Sequence, residues 1–354
     1  MFTILDRYIG RSMLIGTALV LGVFTALFIF IVFVDVLPDY GKGHFGLYEL
    51  ARYVVLAQPR KLYEIFPVTV LIGTLLGLST LALNSELVAI RAAGVSKVRI
   101  FVATMKTGLF MAIAAVLVGE YVVPVAETQA ETGRAQALEI GFQQGRTGLW
   151  LRDGASFVNI GEVLPDLSLL HVRIFDVTRS FELRRQIYAA RAVHVDDRWR
   201  LEQVRHSRIE PDRVETLSEQ AAAWNPAITP SDVAVFTTSP QALSITQLYA
   251  YIQHLRNNNQ DVGRYVLAFW QKCLMPLATA LMILLAVPFV FRPARSGGMA
   301  QRVFTGVALG MLFIVVDRSL GYLALIYGVP PFVAAIVPLL AFLGVALALM
   351  RRAA

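Results

Sequence analysis

Residues 84–96 read NSELVAIRAAGVS, a short segment set between two long apolar runs. It has the marks of a short helix. There is a cap at Asn84 or Ser85, an acid in the first turn at Glu86, bases in and after the last turn at Arg91, Lys97 and Arg99, and a glycine stop at Gly94. Its apolar residues Leu87, Ile90 and Val95 are more than so short a piece of chain should cover. A capped, half-apolar helix at a membrane surface is either an interfacial anchor or a plug for a partner's groove, and the plug is the better fit.

The runs on either side set the class. The chain has 354 residues, 56% of them hydrophobic, with a mean hydropathy of +0.60. Soluble domains are less apolar, and several runs exceed the roughly 18 residues that mark a transmembrane helix. Spans are expected near 14–36, 65–83, 101–123, 267–291, 303–326 and 332–350, each long enough to cross a hydrocarbon core of roughly 30 Å. The first run is too long for a signal peptide and has no small-residue cleavage site, so it reads as a true span. Cys273, the single cysteine, lies inside a span, and no internal disulfide can form.

Charge assigns the sides. The net charge of +7 fits basic cytoplasmic loops and anionic lipid heads, with no need for nucleic acid. Arg7 and Arg11, then Arg91, Lys97 and Arg99, then Arg292, Arg295 and Arg302, and finally Arg351 and Arg352 all fall on one side if both termini are cytoplasmic. Lys42, Arg52, Arg60 and Lys61 in the first outer loop run against this bias. The expected organisation is spans one to three in 1–123 with the short helix at 84–96, an outer domain in 124–264, and spans four to six in 265–354.

The outer domain changes character abruptly. Short alternating segments follow one another: GLWLRD, ASFVNIGEV, SLLHVRIFDV, QIYAARAVHV and RWRLEQVRHSRI. Around an Asp196-Asp197 turn, Val193, Val195, Trp199, Leu201 and Val204 alternate mostly with polar residues, as in a half-buried hairpin. Many short strands of similar spacing favour a sandwich or jelly roll. Helices should frame the domain, one from Ala126 to Leu138. The other starts at Ser244, with Leu248, Ile252 and Leu255 on one face, and stops at Asn257-Asn258-Asn259.

No catalytic motif emerges. There is no GxxxxGK[ST] loop and no HExxH, and the five histidines have no metal-ligand spacing. Transport or scaffolding is left as the natural role, with energy supplied by another subunit. Gly73-x-x-x-Gly77 and Gly306-x-x-x-Gly310 allow close helix approach, within one subunit or between two. Asp317 and Arg318 lie in the outer half of span five, where ionisable groups face a partner or a wet cavity. Adjacent helix positions diverge, so the two should not pair with each other. Either each bonds a polar group on a neighbouring helix, or Arg318 meets an anionic substrate group. Lys106 and Glu120 should snorkel to their interfaces. Residues 35–64 read as an outer-face helix with Leu47, Leu50 and Val54 in a stripe and a break at Pro59.

With these pieces in place the chain resembles the lipopolysaccharide export permeases of the LptF/LptG family, nearest the LptG branch. The residues that carry the resemblance are LDRYIG (Leu5 to Gly10), SELVAIRAAGVS (Ser85 to Ser96), ATMKTG (Ala103 to Gly108), GEYVVP (Gly119 to Pro124), GLW (Gly148 to Trp150), ALSITQLYAYI (Ala242 to Ile252) and YGVPP (Tyr327 to Pro331). It extends over essentially the full length. The resemblance implies a polytopic α-helical membrane protein of six transmembrane helices with an inserted periplasmic β-jelly roll, in the inner membrane of a Gram-negative bacterium. It implies a heterodimer with a sister permease (LptF), an ATPase dimer (LptB) that binds the ATP and Mg, single-span LptC, and a periplasmic bridge. This chain itself would carry no cofactor.

Carried over residue by residue, Glu86 takes the acidic position of the family's coupling helix and meets a base in the ATPase groove. Ser85, Leu87, Ile90, Arg91 and Gly94 complete that contact. Spans one and five line the family's lipid cavity, which directs Arg318 and Asp317 toward lipid. Family members carry lysine near the outer end of span one; this chain has Val32-Phe33-Val34-Asp35 and then Asp39. Phosphate recognition there would fall to Lys42, Arg52 and the sister subunit. The function implied is extraction of lipopolysaccharide from the inner membrane, driven by an ATP-binding-cassette partner. The rival reading is a membrane scaffold or a lipid-modifying enzyme at the outer face.

Overall fold

The computed structural model describes residues 3–138, 149–153, 156–163, 168–177, 183–195, 198–209, 214–224, 239–257, 261–291 and 299–353. Arg292, Arg295, Gly148, Asp196-Asp197 and Asn258-Asn259, all used in the sequence reading, lie outside the described residues. Ten α-helices are described: α1 Ile4–Val36, α2 Leu47–Leu56, α3 Gln58–Leu83, α4 Glu86–Ala92, α5 Lys97–Leu117, α6 Val123–Leu138, α7 Ile245–Asn257, α8 Gly263–Phe291, α9 Met299–Tyr327 and α10 Pro331–Ala353. Six stretches are long and apolar enough to cross a membrane, as expected.

Two boundaries differ from the sequence reading. Pro59 does not end a helix; it sits in the first turn of α3, where its missing N–H costs nothing, and the chain turns instead at Ala57. The helix expected from Ala126 is the continuation of the third span. A π-turn over Val118–Val122 joins α5 to α6, so Lys97–Leu138 is one rod of 42 residues.

The six spans are unequally buried. In their most apolar windows α3 is 72% and α8 61% buried, against 17% for α1 and 22% for α9. Leu71 and Leu75 of α3 and Met282, Leu285 and Ala286 of α8 are fully enclosed and form the centre of the bundle. By contrast α1 leaves Leu19, Val23 and Phe30 uncovered, and α9 leaves Phe304, Val315 and Tyr322 uncovered. Both small-residue motifs serve packing within this chain. Gly73 and Gly77 face the backbone of α1 at Thr17, Ser12 and Met13, while Gly306 and Gly310 receive Leu75 and Val68 of α3.

Among the described residues six strands lie between α6 and α7: β1 Leu149–Asp153, β2 Ser156–Val163, β3 Leu169–Val177, β4 Leu183–Val195, β5 Arg198–Ile209 and β6 Val214–Trp224. They form one antiparallel sheet in the order β1-β2-β3-β4-β5-β6. The all-β insert therefore stands where it was expected, and its described strands each pair with their sequence neighbours. The sixth strand was missed because VETLSEQAAAW has no apolar alternation.

One face of the sheet is apolar, but its rows are out of phase. Ile160, Val172, Ala189 and Val204 pair across in one buried row, and Val163, Leu169, Ala192 and Leu201 in the next. Two residues separate these rows on every strand, where strict alternation would leave one. The crease passes through His171 and Gln203, both at positive φ, and through Gly161, whose added Cβ would lie 2.9 Å from His171 Cβ. This offset explains why Trp199, Leu201 and Val204 are buried as expected while Val195 is exposed and Ala192 fills the place assigned to Val193.

Candidate functional site

The helix at 84–96 forms, but only Glu86–Ala92 is helical. Ser85 stands at the cap position with φ +60 and makes no capping bond; Asn84 instead donates from Nδ2 to Glu86 Oε1 at 3.3 Å. Gly94, at φ +88, ends the turn as expected. Tyr8 of α1 donates its hydroxyl to Glu86 Oε2 at 2.5 Å. Leu87 is buried against the bundle core, and Ile90 and Val95 pack partly against it. The structure thus corrects the expectation that these three exceed what the chain can cover: Leu87 anchors the helix. The face left open carries Val88, Ala89 and Arg91, beside an apolar hollow lined by Ile4, Leu5, Tyr8, Glu86, Ala89 and Ile90.

Nearby, Asp6 has a wholly buried side chain. Lys106 Nζ donates to its Oδ2 at 3.1 Å and Arg99 pairs with Oδ1 at 2.7 Å. Thr3 and Asp6 form a capping box at the start of α1, and Arg99 also donates to Thr3 Oγ1 at 2.7 Å. Lys106 is therefore held by a buried acid and does not simply reach for the interface.

At the other end of the bundle Asp317 and Arg318 do not pair with each other. Gln271 of α8 donates to Asp317 Oδ2 at 3.1 Å, and Arg318 donates to Glu64 of α3 at 2.6 Å. Each bonds a neighbouring helix. Glu64 also accepts from Arg60 at 3.1 Å, and Arg60 pairs in turn with the buried Glu127 of α6. Tyr63, Glu64, Gln271, Lys272, Asp317 and Arg318 line a cavity of about 140 Å³ together with apolar residues such as Pro67, Phe313 and Leu339. The Arg318 side chain is 41% exposed.

Lys42 and Arg52 are not among the residues lining this cavity. Asp39, just past the end of α1, holds two bases: Lys42 at 3.1 Å and Arg134 of α6 at 2.6 Å. Lys42 and Arg52 are both exposed, and the Arg52 guanidinium lies over Gly133. Glu64 and Asp39 thus each gather a separate cluster of charged groups.

Sequence reasoning missed Glu64, Gln271 and Lys272. Lys272 is buried inside α8, where its amine donates to the Leu243 carbonyl and stacks 5.2 Å from the Tyr63 ring centroid. The available signal was a lysine inside an apolar span. Glu120, expected to snorkel, accepts from Ile245 N at 2.8 Å, Thr246 N at 3.3 Å and Thr246 Oγ1 at 2.9 Å, and so caps α7. Lys272 and Glu120 together grip the turn at 243–246 through which the outer domain returns to the bundle.

Comparison with known proteins agrees with this arrangement. A family model described as "Lipopolysaccharide export system permease LptF/LptG" matches residues 7–352. The chain is 36% identical over 355 residues to the lipopolysaccharide export system permease protein LptG of Escherichia coli strain K12, covering 99% of both chains. It is 35% identical to the LptG protein of Haemophilus influenzae over 346 residues, 97% of each. A short charged helix between spans two and three and an all-β insert after span three are what the sequence resemblance implied. The chain belongs to the LptF/LptG family of lipopolysaccharide export permeases.

Proposed function

We propose that this protein is the permease subunit of an ATP-binding-cassette exporter that extracts lipopolysaccharide from the inner membrane and passes it to a periplasmic bridge. The observation that carries the reading is the family match over residues 7–352. Three features of the geometry support it. The apolar faces of α1 and α9 are uncovered, as a sister subunit such as LptF and a lipid between the two would require. The buried apolar rows of the creased sheet give the insert an apolar interior, the environment that acyl chains would need outside the bilayer. The short α4 presents Glu86, Arg91 and an apolar hollow at the end of the bundle opposite the insert.

In this scheme both termini and α4 are cytoplasmic, in a Gram-negative cell. An ATPase dimer of the LptB type binds ATP and Mg, closes on α4, and drives the two permeases together. Lipid is squeezed outward from the cavity walled by α1 and α9, and single-span LptC receives it. Glu86 meets a base of the ATPase, with Ser85, Ile90, Arg91 and Gly94 shaping the contact and Leu87 anchoring it from behind. Lys42, Arg52 and Arg318 offer exposed positive charge to lipid phosphates, while Asp317 holds the wall through Gln271.

Glu86→Ala tests the coupling role. The variant should fold normally but lose the ATPase on purification, or hydrolyse ATP without releasing lipid from vesicles. Normal ATPase association together with normal lipid release would refute the role.

A further inference from the structure

The motif LDRYIG at Leu5 to Gly10 has no part in the scheme above, yet Tyr8 bonds the coupling helix and Asp6 bonds α5, the helix that follows it. Asp6 and Tyr8 are two positions apart on α1, so they point to different neighbours. Asp6 is enclosed and takes Arg99 and Lys106 of α5. Tyr8 donates to Glu86 of α4. Between and beyond them Ile9 is fully buried, and a Cβ on Gly10 would lie 2.7 Å from Thr107 Oγ1 of α5, so α1 and α5 nearly touch there. Both oxygens of Glu86 are engaged within this chain, one by Tyr8 and one by Asn84.

Connectivity gives these contacts their weight. Along the chain α1 reaches α4 only through α2 and the whole of α3. A displacement of α4 therefore has no direct covalent route to α1, although α1 carries one of the two uncovered faces of the bundle. The short route is through the side chains of the motif.

We infer that Asp6 and Tyr8 form a latch that makes the inner end of α1 move as one body with the coupling helix, with Tyr8 as the positioning residue for Glu86. This rests on the coupling role proposed for Glu86. Asp6 fixes the start of α1 to α5 on one side of the coupling turn. Tyr8 fixes it to α4 on the other and holds the Glu86 carboxylate in the orientation that the ATPase meets. Motion entering at α4 then draws the wall of the lipid cavity directly.

The test uses the whole complex, with sister permease and ATPase, in vesicles containing lipopolysaccharide. In a Cys273→Ser background, spin labels at Val88→Cys on α4 and Arg11→Cys on α1 report the distance between the two helices with and without nucleotide. The latch requires a single narrow distance that nucleotide does not change. Tyr8→Phe, which removes one hydroxyl from a side chain 47% exposed, should broaden that distance. Lipid released per ATP should also fall, roughly tenfold, the scale of one hydrogen bond to a charged group. Thermal unfolding of the complex should be unchanged. In a Glu86→Ala background, Tyr8→Phe should cause no further loss.

A parent distance that shifts with nucleotide, an unaltered Tyr8→Phe, or additive losses in the double variant would overturn the latch. The two readings fail separately. A fully active Glu86→Ala removes the coupling role, whereas a stalled Glu86→Ala beside a silent Tyr8→Phe removes the latch alone.

Discussion

Replacing Gly77 by alanine probes a close backbone contact in the bundle, where α3 lies against α1. A Cβ at Gly77 would stand 2.5 Å from Ser12 O and 2.9 Å from Met13 N, against 3.4 Å for an ordinary contact. Both neighbours are backbone atoms, so no change of rotamer can relieve the overlap, and α1 must retreat by about 0.9 Å. Overpacking of this kind costs about 1–3 kcal/mol. The retreat also stretches the bond from Ser12 Oγ to Gly77 O, 2.8 Å long, whose loss adds about 0.5–1.5 kcal/mol. Alanine's better helix propensity offsets about 1 kcal/mol of this, so a net destabilisation of about 1–3 kcal/mol is expected, read as a shifted midpoint in equilibrium unfolding of detergent-solubilised protein. Gly22 and Gly344 supply the controls. Neither would place a Cβ within 4 Å of another residue, and alanine is the better helix former by about 1 kcal/mol, so those variants should be neutral or slightly stabilised. If Gly77→Ala unfolds at the same midpoint as Gly22→Ala, the reasoning is wrong.

Glu120→Ala removes three bonds to the first turn of α7 and should cost about 1–3 kcal/mol. Amide exchange at Ile245 and Thr246 should quicken, and unchanged exchange there would show that the cap does not hold the turn. Trp199→Ala empties the largest fully buried side chain of the sheet, between His194 and Trp224, and should cost about 3–5 kcal/mol. Tryptophan fluorescence during unfolding measures it, and a loss below about 1 kcal/mol would mean that the apolar row tolerates a void.

The spans were legible because hydropathy over some twenty residues needs no knowledge of neighbours. The short helix between spans two and three was legible from Gly94, whose left-handed backbone is a local property. Leu87 was misjudged because its cover comes from the bundle core, which no local pattern reveals. The same limit hid the partners of Arg318 and Asp317: their depth in the membrane was evident, but Glu64 and Gln271 lie on helices that only tertiary packing brings near. Pro59 was read as a terminator because a proline one residue inside a helix looks in sequence like a proline one residue past its neighbour's end. In the insert, period-two reasoning found five strands and then misplaced Val193 and Val195, since the crease shifts the phase of every strand it crosses.

The π-turn at Val118–Val122 has a mechanical consequence. Below it the arm Lys97–Leu117 is about 32 Å long, and above it the arm Val123–Leu138 is about 24 Å, at 1.5 Å per residue. A wide turn is the softest point of such a beam. Rocking about that fulcrum, the Lys97 foot and the Leu138 tip travel in opposite directions, the tip by about three-quarters as much. A displacement applied at the foot of this rod thus becomes an opposite and smaller one at its tip, carried by a single helix.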